Sequence, residues 1–351
     1  MLFTVITDNS RMMSHNETIL LGHGSGGKLS HDLIGDLFVR HFHNIHLEKQ
    51  TDSSILNIES GKIAFTTDSF VVDPIFFPGG DIGKLAVCGT VNDLAVSGAR
   101  PLYLSAGFII EEGFLYTDLE KIVVSMADEA RKAGVMIVTG DTKVVDRGKC
   151  DKLFINTSGI GILSDRYSHI SDGSRIRPGD KVIINGPVGE HGMAVLSARK
   201  DLNIKSSIVS DCASLNRMIA GVLEATDGVR FMRDATRGGL ATVLAELAEK
   251  NQLGISIEEE KLPVTSQVRS FCELLGFDPL YVANEGKVVI ISSKESAGQV
   301  ILALKKSEFG KGAEIIGEIS GDYPGKAYLN TIVGGRRIID MLAGEQLPRI
   351  C

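Results

Sequence analysis

The sequence predicts an α/β (α+β) fold of two domains, each a mixed sheet packed with helices in two layers, followed by a flexible C-terminal tail. Three observations carry that prediction. Short aliphatic runs alternate with segments whose apolar residues recur at helical spacing, in both halves of the chain. A length of 351 residues suits two domains. In the second half an acidic, glycine-containing strand-to-helix turn, Asp234-Ala235-Thr236-Arg237-Gly238-Gly239, loosely echoes the first half, although no clean repeat is present.

Composition narrows the class of function. The net charge of −7 leaves no basic surplus to displace counterions, which argues against nucleic acid as the main partner. Five widely spaced cysteines, none in CxxC spacing, suggest neither a zinc site nor a disulfide framework, and a reducing, cytoplasmic setting is expected. No apolar run is long enough to span a bilayer, and Met1 to Ile6 is too short for a signal-peptide core. Residues 1–16 read as an N-terminal extension, with Met12 and Met13 as alternative starts.

Thr18 to Leu21 is a short strand candidate, followed by Gly22-His23-Gly24-Ser25-Gly26-Gly27-Lys28 and a helical pattern through Leu29, Leu33, Ile34, Leu37 and Phe38. Glycines ahead of a helix let backbone N–H groups approach a phosphate. The stretch nearly matches G-x-x-x-x-G-K-[ST] but fails at Leu29, which has no hydroxyl for a metal ion. The alternative is a mobile glycine loop. His41, His43 and His46 read as a solvated helix end rather than a metal site, because residues 41 and 43 point to different sides of a helix.

Ile63 to Thr67 is a strand with Asp68 at its end. Asp81 N-caps a helix to about Ser97, rich in small residues and carrying Asn92-Asp93 near its end. A buried Asp beside an Asn there is unusual unless it meets a cation or a donor. Pro101 to Ile110 is a strand. Thr117 to Glu120 fits a capping box for a helix that ends at Gly134. Val135 to Val138 is a strand, with Thr139 to Lys143 as the loop after it, and Leu153 to Leu163 closes the first domain. Asp68, Asp93 and Asp141 thus lie at or near element ends. One or two carboxylates with phosphate oxygens suffice for Mg²⁺, and three suit a pair of nucleotide-bridging ions. Each Asp alone reads equally as a cap or turn residue.

Ser164 to Arg177 is polar and turn-rich, which places the domains at 17–163 and 164–335. In the second, strands at 181–185 and 229–232 and helices near 215–223, 237–250 and 265–275 come first. Asn284-Glu285-Gly286-Lys287 precedes strand 288–291, and a helix at 295–306 and strands at 313–319 and 326–333 follow. A last helix is expected from Arg336 to Ala343, stopped by Gly344. The seven residues from there to Cys351 reach about 25 Å when extended, enough to enter a cleft. Pro348 lowers the entropy lost on docking, and Arg349 is suited to an anion at the destination. The bland reading is a frayed end with a stray thiol.

The ordered set Gly-x-Gly-Gly-Lys28, Thr-Thr-Asp68, Gly-x-Val-Asn92-Asp93-Leu, Gly-Asp141-Thr-Lys143 and Asp234-Ala-Thr-Arg-Gly-Gly resembles the PurM-like superfamily. That superfamily includes aminoimidazole ribonucleotide synthetase, selenophosphate synthetase and thiamine-phosphate kinase. Within it, His23-Gly-Ser-Gly-Gly-Lys28, Pro-Gly-Gly-Asp-Ile-Gly-Lys84 and the terminal Pro348-Arg-Ile-Cys351 resemble the HypE family of hydrogenase maturation carbamoyl dehydratases, from about residue 17 to the last.

The resemblance implies that Cys351 receives a carbamoyl group from the carbamoyltransferase HypF. ATP-dependent dehydration then gives a thiocyanate, which supplies cyanide to HypC–HypD for the iron of [NiFe]-hydrogenase. It implies Mg²⁺–phosphate ligation by Asp68, Asp93 and Asp141, with Asp234 as a fourth ligand. It also implies a phosphate-closing loop of Gly24, Gly26, Gly27 and Lys28. Lys143 and Glu285 are the candidates for deprotonation and charge stabilisation, Lys143 more simply as a phosphate clamp and Glu285 as a base if burial raises its pKa. Asn92 is expected to orient Asp93 or the amide, and Arg237 to bind phosphate. A homodimer through the first-domain sheet is expected by analogy. Two alternatives stay open: another PurM-like synthetase or kinase, disfavoured by the absence of a thiol in the glycine loop, and a non-catalytic scaffold using the tail as a docking peptide.

Overall fold

The structure, a computed structural model, describes residues 17–25, 28–49, 54, 56, 61–199, 206–341 and 349–351. α1 (Lys28–Leu33), a π-type stretch (Ile34–Val39) and α2 (Arg40–Phe42) form one helical run that buries Leu33, Leu37 and Phe38. β1 (Lys62–Phe70) follows, then the small pair β2 (Phe76–Phe77) and β3 (Gly80–Asp81), which delivers α3 (Ile82–Val96). Asp81 caps α3 by accepting from the N–H groups of Gly83 and Lys84, a contribution of about 1 kcal/mol. β4 (Ala99–Glu111), α4 (Tyr116–Ala133), β5 (Met136–Val145) and β6 (Leu153–Leu163) complete this half. The strands form one sheet in the order β1-β6-β4-β5, with only the β4–β5 pair parallel.

One face of this sheet is covered and the other is open. Alternate residues of β1 and β4, including Phe70, Leu104, Ala106, Phe108 and Ile110, are buried beneath the helices. Their neighbours Ile63, Phe65 and Ile109 are 54%, 69% and 45% exposed, an unusual row for a sheet that has only one covered side. α3 lies close to its neighbours because of its glycines. A Cβ at position 83 would sit 2.5 Å from the Ile122 carbonyl oxygen, and one at position 89 would sit 2.9 Å from the Phe70 ring.

The second half begins with β7 (Lys181–Ile184), α5 (Glu190–Ser197), α6 (Asn216–Ala225) and β8 (Val229–Asp234). α7 (Gly239–Asn251), β9 (Gly254–Glu258), α8 (Ser266–Leu275) and β10 (Val288–Ser292) come next. α9 (Ala297–Leu304), β11 (Glu314–Ser320), β12 (Ala327–Asn330) and β13 (Arg336–Ile339) end it. Its sheet runs β13-β12-β9-β11-β7-β10-β8. The apolar core is continuous across the junction: one cluster joins α3 and α4 to Met193–Leu196 of α5, Phe271 of α8 and, at the chain end, Ile350.

Several expectations are corrected. Residues 336–339 are a strand, not a helix. Gly334, at φ +85°, closes a tight hairpin, Thr331 and Gly335 bond across it, and β-branched Ile338 and Ile339 pair with β12. The remainder of the expected helix and its stop, 342–344, lie outside the described residues, as do Gly26, Gly27, Pro348 and the extension 1–16. Thr139 to Lys143 are not a loop; β5 runs on through them, held by parallel pairing with β4. Asp68 lies inside β1, two residues short of its end. The capping box at Thr117–Glu120 does not form, because α4 starts earlier, at Tyr116, with Leu115 as its uncapped N-cap. Thr18 makes only an isolated bridge to Leu115, and Leu21–Gly24 is a 3-10 turn. β9 is an additional strand that local patterning did not separate from its flanking helices. Among the described residues, no helix is long and apolar enough to cross a membrane.

Candidate functional site

Side-chain alternation on β1 decides which polar groups enter the junction. Asp68, like Phe70, faces α3, and a Cβ on Gly89 would sit 3.3 Å from its carboxylate. Asp93 follows one turn after Gly89 and accepts a 2.8 Å hydrogen bond from the Thr66 hydroxyl on the same face of β1. From the other half, β8 ends on Asp234, and β8 packs against α3. Glu285, 3% exposed, precedes β10 beside it.

These four carboxyls share one electrostatic field. Burial raises the pKa of Asp68, against the Ser69 N–H and the Arg237 charge, which lower it. Burial raises Asp93, offset by the Thr66 bond and reinforced by Asp68. Burial, then the charges of Asp93 and Asp68, push Asp234 up to about 7. Burial, then Asp211, Asp234 and Asp68, raise Glu285 well above the usual carboxylate range. Carboxyls that raise each other's pKa store unfavourable charge, which a cation or a proton relieves. Among the described residues no three acidic, His or Cys side chains converge to cage an ion unaided. The raised pKa values suit a cation there, and a Mg²⁺ ion at this cluster would have to take much of its shell from phosphate oxygens and water.

Asp141 and Lys143 do not join this cluster within the chain. Asp141 pairs with Gly107, which pairs with Asn156, which pairs with Ser69, so it lies about three strand spacings, ~14 Å, across the sheet. The same pairing puts Asp141 and Lys143 on the open face with Ile109. There they form a 3.5 Å ion pair, with side chains 71% and 63% exposed. Asn92 is likewise recast. Its side chain donates to the carbonyls of Ala213 and Glu285 and accepts the Leu215 N–H, so it braces the junction rather than facing Asp93. Arg237 is exposed just ahead of α7 and acts on Asp68. Gly24 packs against the edge of β5, where a Cβ would lie 2.3 Å from the Val144 nitrogen, and Lys28 is exposed at the start of α1.

The sequence reading missed a buried charged network next to Glu285. Asp211 accepts the Glu285 N–H at 3.1 Å and the Lys287 ammonium at 2.8 Å, and Lys287 also reaches Glu190 at 3.5 Å. Burial alone would raise Asp211, but the Lys287 charge and these hydrogen bonds outweigh it and hold its pKa down. A Cβ at Gly286 would meet the Asp211 carbonyl at 1.9 Å, so the glycine admits this contact. The run Glu190-His191 directly after Gly189 was the available signal: two polar residues opening an apolar helix.

The last three residues enter the same junction. The Asp73 N–H donates to the Arg349 carbonyl at 3.1 Å, and the Val71 N–H donates to the Cys351 carbonyl at 3.2 Å, three residues beyond Asp68. Arg349 donates through Nε to the Val71 carbonyl and pairs with Asp151. Ile350 is 3% exposed, a burial that contributes about 2 kcal/mol to docking. Cys351 is half-buried against the first core cluster, and none of the five cysteines is in a disulfide.

The chain is similar to known proteins over nearly its whole length. The N-terminal domain model of AIR synthase related proteins matches residues 50–163, and the C-terminal domain model matches residues 177–330. The carbamoyl dehydratase HypE of Rhodobacter capsulatus is 49% identical over 97% of this chain and 100% of its own. A crystal structure of hydrogenase maturation protein HypE in complex with ATP superposes with a TM-score of 0.90 at 49% identity, covering 95% of this chain and 100% of that one. A HypE–HypF complex matches with a TM-score of 0.77 at 49% identity, covering 88% of this chain and 99% of that one.

Proposed function

The chain belongs to the HypE family of carbamoyl dehydratases, and from that premise we propose that it dehydrates an S-carbamoyl group on its own Cys351 to a thiocyanate at the expense of ATP. The observation that supports this reading best is the docked tail, whose terminal residue pairs with Val71 beside a cluster of carboxyls with raised pKa values. The reaction removes one oxygen and two N–H protons from S–C(=O)NH₂. Amide oxygen leaves poorly, so transfer of the γ-phosphoryl group to it makes phosphate the leaving group. The water removed is recovered as ADP and phosphate.

Each group in the junction has a task in that scheme. Asp68, Asp93 and Asp234 would hold Mg²⁺ at the phosphates, where the ion supplies charge neutralisation. Arg237 offsets the remaining phosphate charge. Glu285 accepts a proton from the carbamoyl nitrogen; its raised pKa makes its carboxylate a stronger base than a solvated one. Asn92 and Asp211, itself paired with Lys287, hold the Glu285 backbone in place.

Lys143 and Asp141 enter through a second copy. The open sheet face carries Ile63, Phe65 and Ile109 together with this pair, and a homodimer formed through it places Asp141 and Lys143 at the seam. There Lys143 serves as a phosphate clamp or proton acceptor. The carbamoyl donor is HypF, and the cyanide acceptor is the HypC–HypD complex, in the cytoplasm.

The test is peptide mapping after incubation with HypF, carbamoyl phosphate, Mg²⁺ and ATP. Cys351 gains a carbamoyl group that then loses one water, and the loss requires hydrolysable ATP. With HypF shown to be active, a chain carrying no adduct on Cys351 contradicts the reading.

A further inference from the structure

The three terminal carbonyls are held alternately. Those of Arg349 and Cys351 accept backbone N–H groups of Asp73 and Val71, in the first half of the molecule. The Ile350 carbonyl points the other way and accepts Nε2–H of His191, at 2.8 Å, from the first turn of α5 in the second half. Arg199, just after α5, adds a longer bond to the Arg349 carbonyl and a second to the Asp73 carbonyl. The tail end is therefore gripped from both sides, and on the second-half side a buried ring makes the close contact.

The protonation of that ring follows from its partners. A carbonyl oxygen only accepts, so Nε2 carries the hydrogen. His191 is fully buried, and burial disfavours its charged form, so Nδ1 is bare and accepts from the Ser210 hydroxyl at 2.8 Å. Ser210 in turn accepts the Cys212 N–H, and its own N–H donates to the Pro78 carbonyl. The ring stands edge-on to Phe77, with centroids 5.4 Å apart. Every polar atom of the ring is committed, and its orientation is fixed from three sides.

We propose that His191 is a positioning residue of the dehydration step: through the Ile350 carbonyl it holds the adjacent carbamoylated Cys351 in register with the acidic cluster. This rests on the dehydratase reading above. The tail has to leave to be loaded and return to react, and His191 acts on the returned state alone. Without the Nε2–H donor the Ile350 carbonyl would dock with its hydrogen bond unmade, which disfavours the docked tail.

The test compares His191→Phe, which keeps the ring and its packing on Phe77, with His191→Gln, which restores a donor. Three quantities are measured on the full chain: loading of Cys351 by HypF, binding of ATP, and single-turnover loss of water from the loaded chain. His191→Phe is expected to load and bind like the parent and to lose water about tenfold more slowly, with His191→Gln recovering most of the rate. Alkylation of unloaded Cys351 by iodoacetamide, followed on the Cys351 peptide itself, is expected to be several-fold faster in His191→Phe, a readout that needs no dehydratase activity.

Parental rates of water loss and alkylation in His191→Phe overturn the proposal. So does a parallel fall in loading and ATP binding, which marks a merely structural role. A loaded parent chain that never loses water overturns the dehydratase reading instead, and the alkylation comparison then still decides whether His191 holds the tail.

Discussion

On the covered face of the β1-β6-β4-β5 sheet, Asp68 shares a buried field with Asp93 and Asp234, and all three are held toward the protonated form. On the open face of the same sheet, Asp141 and Lys143 form a solvated ion pair beside a row of exposed apolar side chains. The two sets have similar sequence motifs, an Asp near Thr and Gly. They differ by strand parity: Asp141 shares its rung with Ser69, one residue past Asp68, and so projects from the opposite side. The covered face stores charge that a cation would relieve, whereas the open face stores apolar surface that a second copy would relieve.

The largest effects are expected where the covered face meets the tail. Cys351→Ser abolishes formation of any carbamoyl or cyano adduct while ATP binding, followed by calorimetry, persists. Asp93→Asn lowers the single-turnover rate of water loss by about 10²-fold or more, as loss of transition-state charge stabilisation does elsewhere. A full rate in Asp93→Asn would remove the covered face from the phosphate site.

The open face is tested by Phe65→Asp, which introduces a charge into the exposed apolar row. Light scattering is expected to show the parent chain as the proposed homodimer and Phe65→Asp as a monomer at micromolar concentration. A dimer that survives would move the seam elsewhere and detach Lys143 from the reaction.

A smaller effect separates the two faces by pH. Asp234 ionises at about 7 in the folded chain, against 3.8 in an ordinary carboxyl. Its folded pKa is raised, so its burial costs nothing below the unfolded value, and stability falls as pH rises from about 4 to about 7. Asp234→Asn removes that penalty. In the nucleotide-free chain its unfolding midpoint is expected to rise by several degrees at about pH 8 and to change little near pH 4. Lys143→Met, on the open face, is expected to shift stability by less than about 0.5 kcal/mol, because exposed pairs contribute little. Denaturant titration at one pH measures it.

Parts of the fold were legible in the sequence, but this contrast was not, because Asp141 reads there as a partner of Asp68 and Asp93. The strands β1, β4 and β6, the cap at Asp81 and the glycine that ends α4 follow from local rules. The positions of Asp68 and Asp93 at or near element ends also follow from local rules, whereas Asp234 and Glu285 were singled out by the family resemblance. What escaped depends on pairing across long separations. Local pattern cannot say that Thr139 to Lys143 prolong β5, because β4 makes that choice. The Ile338-Ile339 pair reads as helix or strand until the Gly334 turn brings it back against β12. His191 meets Ile350 across 159 positions and Lys287 meets Asp211 across 76, separations that no motif window spans.

In the proposed dehydration the docked tail presents the carbamoyl oxygen of Cys351 to the nucleotide phosphate. This is tested most directly by loading Cys351 with a carbamoyl group carrying heavy oxygen, adding Mg²⁺ and ATP, and analysing the released phosphate by mass spectrometry. The label is expected in inorganic phosphate, one atom per thiocyanate formed. Label found in water, with unlabelled phosphate, would contradict it.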